Sequence, residues 1–246
     1  MQVKNNTILI TGGGSGIGFE TARLLSEQGN QVIIIGRDAD KLNRAAAQLN
    51  NVTAISADVS NAADMQKLVE RLQVEFPALN ILINNAGRAF VYDLSAGGVD
   101  AFSKAQEEMM TNYLAVIRLT EALLPQLNAQ PEAAVVNVSS VAAFVPGAKL
   151  STYSASKAAL HSYTQSLRVT LAQDSPTKVY ELMPPLVNTE FSSEIGGING
   201  IPPSKVAEDL VHALENDIFE IRVGMTEDLY QLHRTSPAEA LSAMNA

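Results

Sequence analysis

The chain reads Thr11-Gly12-Gly13-Gly14-Ser15-Gly16-Ile17-Gly18 between a short apolar run and a stretch with the apolar spacing of a helix. Five of the seven residues from 12 to 18 are glycine, which lets the backbone turn tightly and approach a ligand closely. A helix that begins here offers free N–H groups and the positive end of its dipole to a pyrophosphate. The octapeptide therefore predicts a dinucleotide-binding turn between a strand and a helix, with a plain turn as the alternative.

Short apolar runs alternate with helical patterns along the rest of the chain. Strands are predicted at 7–11, 31–35, 52–57, 81–84, 133–138, 178–183 and 219–223. Helices are predicted at 16–28, 40–49, 62–75, 102–127, 153–172 and 204–215, with a tail of two helical pieces split near Pro237. This alternation is typical of one α/β domain over residues 1–246, in which helices cover both faces of a mostly parallel seven-stranded sheet. Ligands bind such sheets beyond the carboxyl ends of the strands.

Composition excludes several classes of function. The net charge is −9 with no cluster of five or more Lys and Arg residues, so a nucleic-acid partner is not expected. The chain has no cysteine and three histidines placed far apart, so neither a thiolate nucleophile nor a metal site is expected. No apolar run reaches 18 residues and no signal peptide is evident, so we expect a cytoplasmic protein without membrane insertion.

The end of the second strand bears on the choice of cofactor. An NAD site usually places a carboxylate about 20 residues after the glycines, but Gly36 and Arg37 stand there. The planar guanidinium of Arg37 matches a 2′-phosphate, which favours NADP(H). NAD(H) remains possible because Asp38 could bind the ribose, and Arg37 could be an ordinary surface residue.

A tyrosine and a lysine open the helix that follows the fifth strand. Tyr153 and Lys157 stand four residues apart and share one helix face, so the ammonium is expected to lower the pKa of the phenol. Ser140 ends the preceding strand and can donate to a substrate oxygen. By itself the Y-x-x-x-K spacing is common in helices, whereas the combination favours acid–base catalysis.

Taken in order, these motifs resemble the short-chain dehydrogenase/reductase family over about residues 7–191. The resemblance rests on the glycine turn, Asp58-Val59, Asn84-Asn85-Ala86-Gly87, Asn112, Ser140 with Tyr153 and Lys157, and residues 184–189. It implies a Rossmann-type doubly wound fold and hydride transfer between NADP(H) and a small carbonyl or alcohol substrate. The ending of the chain departs from the family's usual one and resembles a branch of bacterial oxidoreductases associated with D-alanylation of teichoic acid.

The resemblance also implies roles for individual residues. Tyr153 would be the general acid or base, Lys157 would lower its pKa and hold the ribose, Ser140 would polarise the carbonyl, and Asn112 would support a proton-relay water. The cofactor would be bound by Tyr153 and Lys157 and by Gly12, Gly14, Ser15, Gly16, Ile17, Gly18, Arg37, Asp58, Val59, Asn85, Ala86, Gly87, Val187 and Thr189. Asn84 would join neighbouring strands, and Ser139 and His161 are interpreted as structural.

The substrate end of the site is predicted from position along the chain. Residues 191–203 contain three glycines and two prolines and are expected to form a substrate lid, whereas 225–246 form the helical tail. Pro184-Pro185 stands where the family usually has Pro-Gly, so a stiffer loop is expected near the nicotinamide. Expected pocket walls, mostly apolar, are Phe90, Tyr92, Val141, Phe144, Pro185, Leu186 and Phe191.

The sequence also bears on the oligomeric state and on two alternative functions. The two long helices carry apolar residues beyond one face, and the resemblance implies that they pair in a homodimer or homotetramer. An NADP(H)-binding sensor or scaffold protein with little turnover is the alternative function. An epimerase or dehydratase ranks last, because little chain follows Thr189 to build a larger substrate domain.

Overall fold

A single parallel sheet organises the chain in the computed structural model, which describes residues 1–246. Its seven strands are β1 Thr7–Thr11, β2 Gln31–Gly36, β3 Val52–Ser56, β4 Leu79–Asn84, β5 Ala133–Val138, β6 Thr177–Met183 and β7 Glu220–Arg222. They lie in the order β3-β2-β1-β4-β5-β6-β7, and every neighbouring pair is parallel. This is the predicted seven-stranded sheet, with no antiparallel strand.

Nine α-helices connect and cover these strands. They are α1 Gly16–Glu27, α2 Ala39–Ala46, α3 Ala62–Glu75, α4 Ala101–Met109, α5 Ala115–Asn128, α6 Ser151–Asp174, α7 Pro203–Asn216, α8 Met225–Thr235 and α9 Pro237–Met244. No helix is long and apolar enough to cross a membrane.

Alternating side chains of the strands build two separate cores. Ile8 and Ile10 of β1 belong to a core that includes Leu25 of α1 and Leu210 of α7. Leu9 points to the opposite face and belongs to a second core, which includes residues of α3, α5 and α6. Because successive side chains of a strand point to opposite faces, a strand that is buried along its whole length, such as β1, requires helices on both sides.

The strand order locates the crevice for a ligand. Strand β1 lies between β2 and β4, so the chain winds outward in one direction through β2 and β3 and in the other from β4 to β7. The carboxyl ends of β1 and β4 mark the point where the direction reverses, and open α/β sheets bind ligands there.

The predicted long helix at 102–127 is wrong in one respect. A π-helical turn at Met110–Leu114 divides it into α4 and α5. The amide of Asn112 accepts from Arg88 N at 2.8 Å and donates to Arg88 O at 2.8 Å and Ser156 Oγ at 2.9 Å. These tertiary hydrogen bonds accompany the wider turn, and π-bulges of this kind are frequent at functional sites.

The lid and tail segments are more ordered than a simple loop. Residues of the predicted lid form short 3₁₀ turns at Glu190–Ile195 and Gly197–Asn199, and Ile201 pairs with Val187 in an isolated parallel bridge. The tail forms α8 and α9, and Pro237 begins the second helix, as the sequence predicted.

Candidate active site

One large cavity runs along the carboxyl edge of the sheet, with a volume of about 1250 Å³. This exceeds the roughly 300–1,000 Å³ of a pocket for one ligand, so it has room for a dinucleotide and a substrate together. Of the predicted site residues, all but Gly18 and Asn112 line this cavity.

The glycine turn forms one end of the cavity. Gly12 has a φ of 68°, in the left-handed region, and a Cβ at Gly18 would overlap the carbonyl oxygen of Gly12. Gly18 is therefore needed for close packing of α1 on the turn. It lies outside the cavity lining, and its contact with the cofactor stays a prediction. The Ser15 side chain makes no capping hydrogen bond, which leaves the first N–H groups of α1 available to a phosphate.

The opposite wall of this end comes from β2 and β3. Arg37 is exposed at the cavity rim, and no side chain of β2 places a carboxylate beside it. The Asp38 carboxylate caps α2 by accepting from Lys41 N at 2.9 Å, and this bond holds it at the start of the helix. Asp58 and Val59 line the same wall after β3, and Asp58 accepts from Ser60 N at 2.9 Å.

Asparagine and threonine side chains join the cavity floor to the glycine turn. The Thr11 hydroxyl accepts from Asn85 N at 2.9 Å and from Ala86 N at 2.8 Å. The Asn85 amide donates to Thr11 O at 2.9 Å. Asn84 instead donates to Asn137 Oδ1 at 2.9 Å within the sheet, in agreement with its predicted structural role.

Gly87 brings Asn112 close to Lys157. A Cβ at Gly87 would lie 3.6 Å from Asn112 Oδ1 and 3.9 Å from Lys157 Nζ. Asn112 is fully buried and its amide is already bound to Arg88 and Ser156, so it lies behind the cavity wall and not on its surface.

Tyr153, Lys157 and Ser140 converge at the centre of the cavity. The Lys157 ammonium donates to Val138 O at 2.7 Å and lies 5.7 Å from the centroid of the Tyr153 ring. Ser140 is the second residue after β5, and its hydroxyl faces the phenol of Tyr153. The Phe191 ring lies 6.2 Å from the Tyr153 ring, so the predicted lid segment covers this group.

Burial controls the charge states of both residues. It raises the pKa of Tyr153 to about 12, against an opposing hydrogen bond from Ser140, and Glu108 raises that pKa further. Burial also lowers the pKa of Lys157 to about 8, against the opposing negative charge of Glu181. In the protein alone the net shift of the phenol pKa is therefore upward, opposite to the expected lowering, because desolvation dominates.

The loop after β6 closes the cavity near the glycine turn. Pro184 O accepts from Val141 N at 3.1 Å, which ties this loop to the turn after Ser140. Val187 and Thr189 line the cavity, and the Thr189 methyl faces Gly16. The Lys41 ammonium and the Glu190 carboxylate form an ion pair of 2.6 Å across the cavity mouth.

The substrate end has a different wall from the predicted one. Val141, Pro185, Leu186 and Phe191 line it as expected. Three predicted wall residues lie elsewhere: the Phe90 ring packs under Arg88, the Tyr92 hydroxyl bonds Thr152, and the Phe144 ring packs between His161 and Tyr230. The tail takes their place, and the residues it contributes to the lining are Met225, Leu229, Ala243, Met244, Asn245 and Ala246.

Two buried carboxylates near the site were not predicted from the sequence. Glu108 is fully buried in α4 and accepts from Phe90 N at 2.8 Å. Glu181 is fully buried in β6 and bonds Ser139 and His161. The only sequence signal for Glu181 is a lone acid among the apolar and aromatic residues Val179-Tyr180-Glu181-Leu182-Met183 of the predicted strand.

The site fits a nicotinamide dinucleotide. The glycine turn and the open amino end of α1 suit its pyrophosphate, and Tyr153 and Lys157 lie further along the same cavity. The model of the short chain dehydrogenase family matches residues 6–197 of the sequence. The chain belongs to the short-chain dehydrogenase family.

Relatives of this short-chain dehydrogenase agree on the fold and the reaction class. It is 42% identical to the uncharacterized oxidoreductase DltE of Bacillus subtilis strain 168 over 194 residues, which are 79% of this chain and 76% of DltE. A short-chain dehydrogenase from Burkholderia cenocepacia in complex with NADP superposes with a TM-score of 0.87 at 25% identity, covering 100% of both chains. The 3-ketoacyl-(acyl-carrier-protein) reductase of Brucella melitensis, complexed with NADH, has a TM-score of 0.77 at 26% identity and covers 86% of this chain and 91% of its own. This short-chain dehydrogenase is thus an oxidoreductase whose structural neighbours bind both nicotinamide cofactors.

Proposed function

We propose that this oxidoreductase uses NADP(H) to interconvert a carbonyl group and a secondary alcohol in a small, apolar substrate. The observation that carries the proposal is the convergence of Ser140, Tyr153 and Lys157 in one cavity with the glycine turn. When bound, the nicotinamide supplies the hydride in reduction and accepts it in oxidation.

The chain's own residues divide the remaining work. In reduction the Tyr153 hydroxyl donates its proton to the substrate oxygen, and in oxidation the phenolate takes the proton back. The Ser140 hydroxyl donates a hydrogen bond to the same oxygen and stabilises its developing negative charge. The Lys157 ammonium, held on Val138 O, stabilises the phenolate and binds the ribose hydroxyls.

Asn112 supports the same proton path from behind the wall. Its amide fixes the Arg88 backbone, which follows Gly87, and so sets the floor beside Lys157. A water on this floor would pass protons between Lys157 and solvent. The π-helical turn widens the helix at Asn112 and so places its amide beside the Arg88 backbone.

Cofactor binding is assigned to the residues that line the long end of the cavity. Gly12, Gly14, Ser15, Gly16 and Ile17 hold the pyrophosphate. Asp58, Val59, Asn85, Ala86 and Gly87 flank the adenine and ribose, and Val187 and Thr189 bind the carboxamide. Arg37 supports a preference for NADP(H), because it is exposed at the rim while Asp38 caps α2.

The substrate end supports an apolar substrate. Its walls are Val141, Pro185, Leu186 and Phe191 together with Met225, Leu229 and Met244 of the tail. Apolar walls around a few convergent polar groups are typical of sites for small molecules that are largely hydrocarbon.

Turnover with a panel of ketones and aldehydes tests the proposal. NADPH oxidation at 340 nm is expected with apolar members of the panel and not with sugar phosphates. Tyr153→Phe should lower kcat/KM by about 10²–10⁴-fold, the usual contribution of a general acid, while NADPH still binds. Tyr163→Phe on the same helix is the matched control and should keep full activity. Tight NADPH binding without turnover of any substrate would contradict the proposal and indicate a sensor.

We also propose that the protein forms homodimers or homotetramers. Phe102 of α4, Leu114 of the π-helical turn and Val169 of α6 leave 75%, 42% and 66% of their surfaces exposed. Exposed apolar residues on these helices suit pairing with a second copy. Light scattering should give a mass of two or four chains, and a mass of one chain would contradict it.

A further inference from the structure

Glu181 is a fully buried carboxylate on the strand next to the β7 edge of the sheet. It lies on β6, opposite Asn137 of β5 and Glu220 of β7. Removing a carboxylate from water costs free energy unless charges and hydrogen bonds compensate it. A buried acid at this position, directly behind the cavity, therefore needs a reason.

Two groups compensate the carboxylate. The Ser139 hydroxyl donates to Glu181 Oε1 at 2.5 Å, and His161 Nδ1 lies 2.9 Å from both carboxylate oxygens. The Glu181 carboxylate raises the pKa of His161, which favours the imidazolium. The two residues therefore form an ion pair with one partly exposed end.

Both partners of Glu181 adjoin the residues that hold Lys157. His161 is one helical turn after Lys157 on α6. Ser139 lies between Ser140 and Val138, whose carbonyl oxygen accepts the Lys157 hydrogen bond. The Glu181 carboxylate thus binds α6, which carries Lys157, and also the segment after β5, next to the carbonyl that accepts the Lys157 hydrogen bond.

We propose that Glu181 is a positioning residue for Lys157: its carboxylate holds Ser139, next to the Val138 carbonyl that binds the ammonium, and His161, one helical turn after Lys157, and it supplies a negative charge near this buried cation. The inference rests on the proposed function, since it assigns Glu181 to the machinery around Lys157. In the reaction Glu181 touches neither substrate nor cofactor and acts through Lys157.

The other charged groups nearby do not replace this charge. Glu220 forms ion pairs with Arg168 at 3.3 Å and with Arg222, and these guanidiniums stay charged at every pH of interest. The partner of Glu181 is instead a histidine, which loses its charge as the pH rises and then leaves the carboxylate uncompensated. Glu108 acts on Tyr153 from α4, where it raises the pKa of the phenol. Glu181 is the acid that opposes the effect of burial on the pKa of Lys157.

Competitive labelling of lysines tests the inference without cofactor or substrate. Acetic anhydride modifies only the neutral amine, so the modification rate at Lys157, followed by peptide mass spectrometry against pH, reports its titration midpoint. Glu181→Gln keeps the shape and one acceptor oxygen for Ser139 and His161 but removes the charge. We expect its Lys157 midpoint to fall by about one pH unit, the scale for removing a unit charge roughly 10 Å away at an effective dielectric near 20.

Matched variants separate charge from structure. Glu220→Gln removes a charge from the neighbouring strand position and should leave the Lys157 midpoint unchanged, and the exposed Lys149 serves as reference within each sample. The double variant Glu181→Gln with His161→Gln avoids an unpaired buried group should the single variant not fold, and its midpoint should fall as well. A purely structural role would lower the melting temperature and leave the midpoint in place.

The outcomes also distinguish this inference from the proposed function. An unchanged Lys157 midpoint in both Glu181 variants overturns the inference, even if the wild-type protein reduces ketones. A lowered midpoint supports the coupling of Glu181 to Lys157, even if no substrate is turned over and the proposed function fails.

Discussion

The Lys157 ammonium donates a 2.7 Å hydrogen bond to the carbonyl oxygen of Val138, the last residue of β5. This bond fixes the lysine at the carboxyl edge of the sheet, beside the Tyr153 ring and across the cavity floor from Gly87. Lys157 is almost completely buried, and burying its charge lowers the free energy of unfolding. The chain therefore keeps a destabilising cation where a ligand is expected to bind.

That cost makes stability depend on pH in a predictable way. Lys157 has a pKa of about 8 in the folded chain and 10.5 ordinarily, so between these values the unfolded chain binds more protons. Stability therefore rises with pH through this window as the burial penalty is relieved. We expect Lys157→Met to melt at a higher temperature than wild type below pH 8, with the difference shrinking toward pH 10.

The exposed Lys149 provides the control for that comparison. Lys149→Met should shift the melting temperature little, and by the same amount at each pH, because Lys149 is exposed. The measurement is the melting temperature of the wild type, Lys157→Met and Lys149→Met from pH 7 to pH 10. A Lys157→Met variant whose difference from wild type is independent of pH would show that the buried amine does not titrate in this window.

Arg37 is predicted to set the preference for NADP(H). Its guanidinium is exposed at the cavity rim, and a charge-assisted hydrogen bond contributes about 1.5–3 kcal/mol, so Arg37→Ala should weaken NADPH binding by roughly 10- to 100-fold. NADH binding should change little. Arg44→Ala removes the same charge from the last turn of α2 and should leave both affinities in place. Fluorescence titration measures both cofactors, and an equal loss for NADPH and NADH would contradict the assignment.

Asn245 is predicted to hold the tail against the substrate site. Its amide accepts from Ala148 N at 2.6 Å and donates to Pro146 O at 3.1 Å, in the loop that leads to α6. Asn245→Ala loses both bonds, each contributing about 0.5–1.5 kcal/mol, so KM for apolar substrates should rise by roughly tenfold with kcat nearly unchanged. Ser242→Ala, exposed on the same helix, is the control. A fall in kcat at constant KM would place Asn245 in another role.

The sequence predicted the sheet because its signals are local. β1 and β5 are mostly apolar, and strands of this kind in parallel sheets are buried on both faces. The glycine turn and the order of Ser140, Tyr153 and Lys157 likewise placed the site at the correct edge. For Gly18 the motif does not distinguish packing against Gly12 from contact with the cofactor, and only the packing is visible in the structure.

What the sequence could not predict depends on contacts between distant segments. The π-helical turn follows from Asn112 bonding Arg88 and Ser156, which are 24 and 44 residues away. Phe90, Tyr92 and Phe144 were expected in the pocket wall, but the conformations of their loops direct them to other partners, and the tail occupies their place. The burial of Tyr153 could not be predicted from the sequence either, and it raises the pKa of the phenol where a lowering was expected.

A crystal structure with NADP⁺ bound tests the proposed catalytic site most directly. The quantity to measure is the distance between nicotinamide C4 and the Tyr153 hydroxyl oxygen. We expect the pyrophosphate on the glycine turn, the ribose on Lys157, and a gap that one carbonyl group fills with about 3–3.5 Å to each side. A nicotinamide whose C4 faces away from Tyr153, or a dinucleotide bound outside this cavity, would contradict the proposed catalysis.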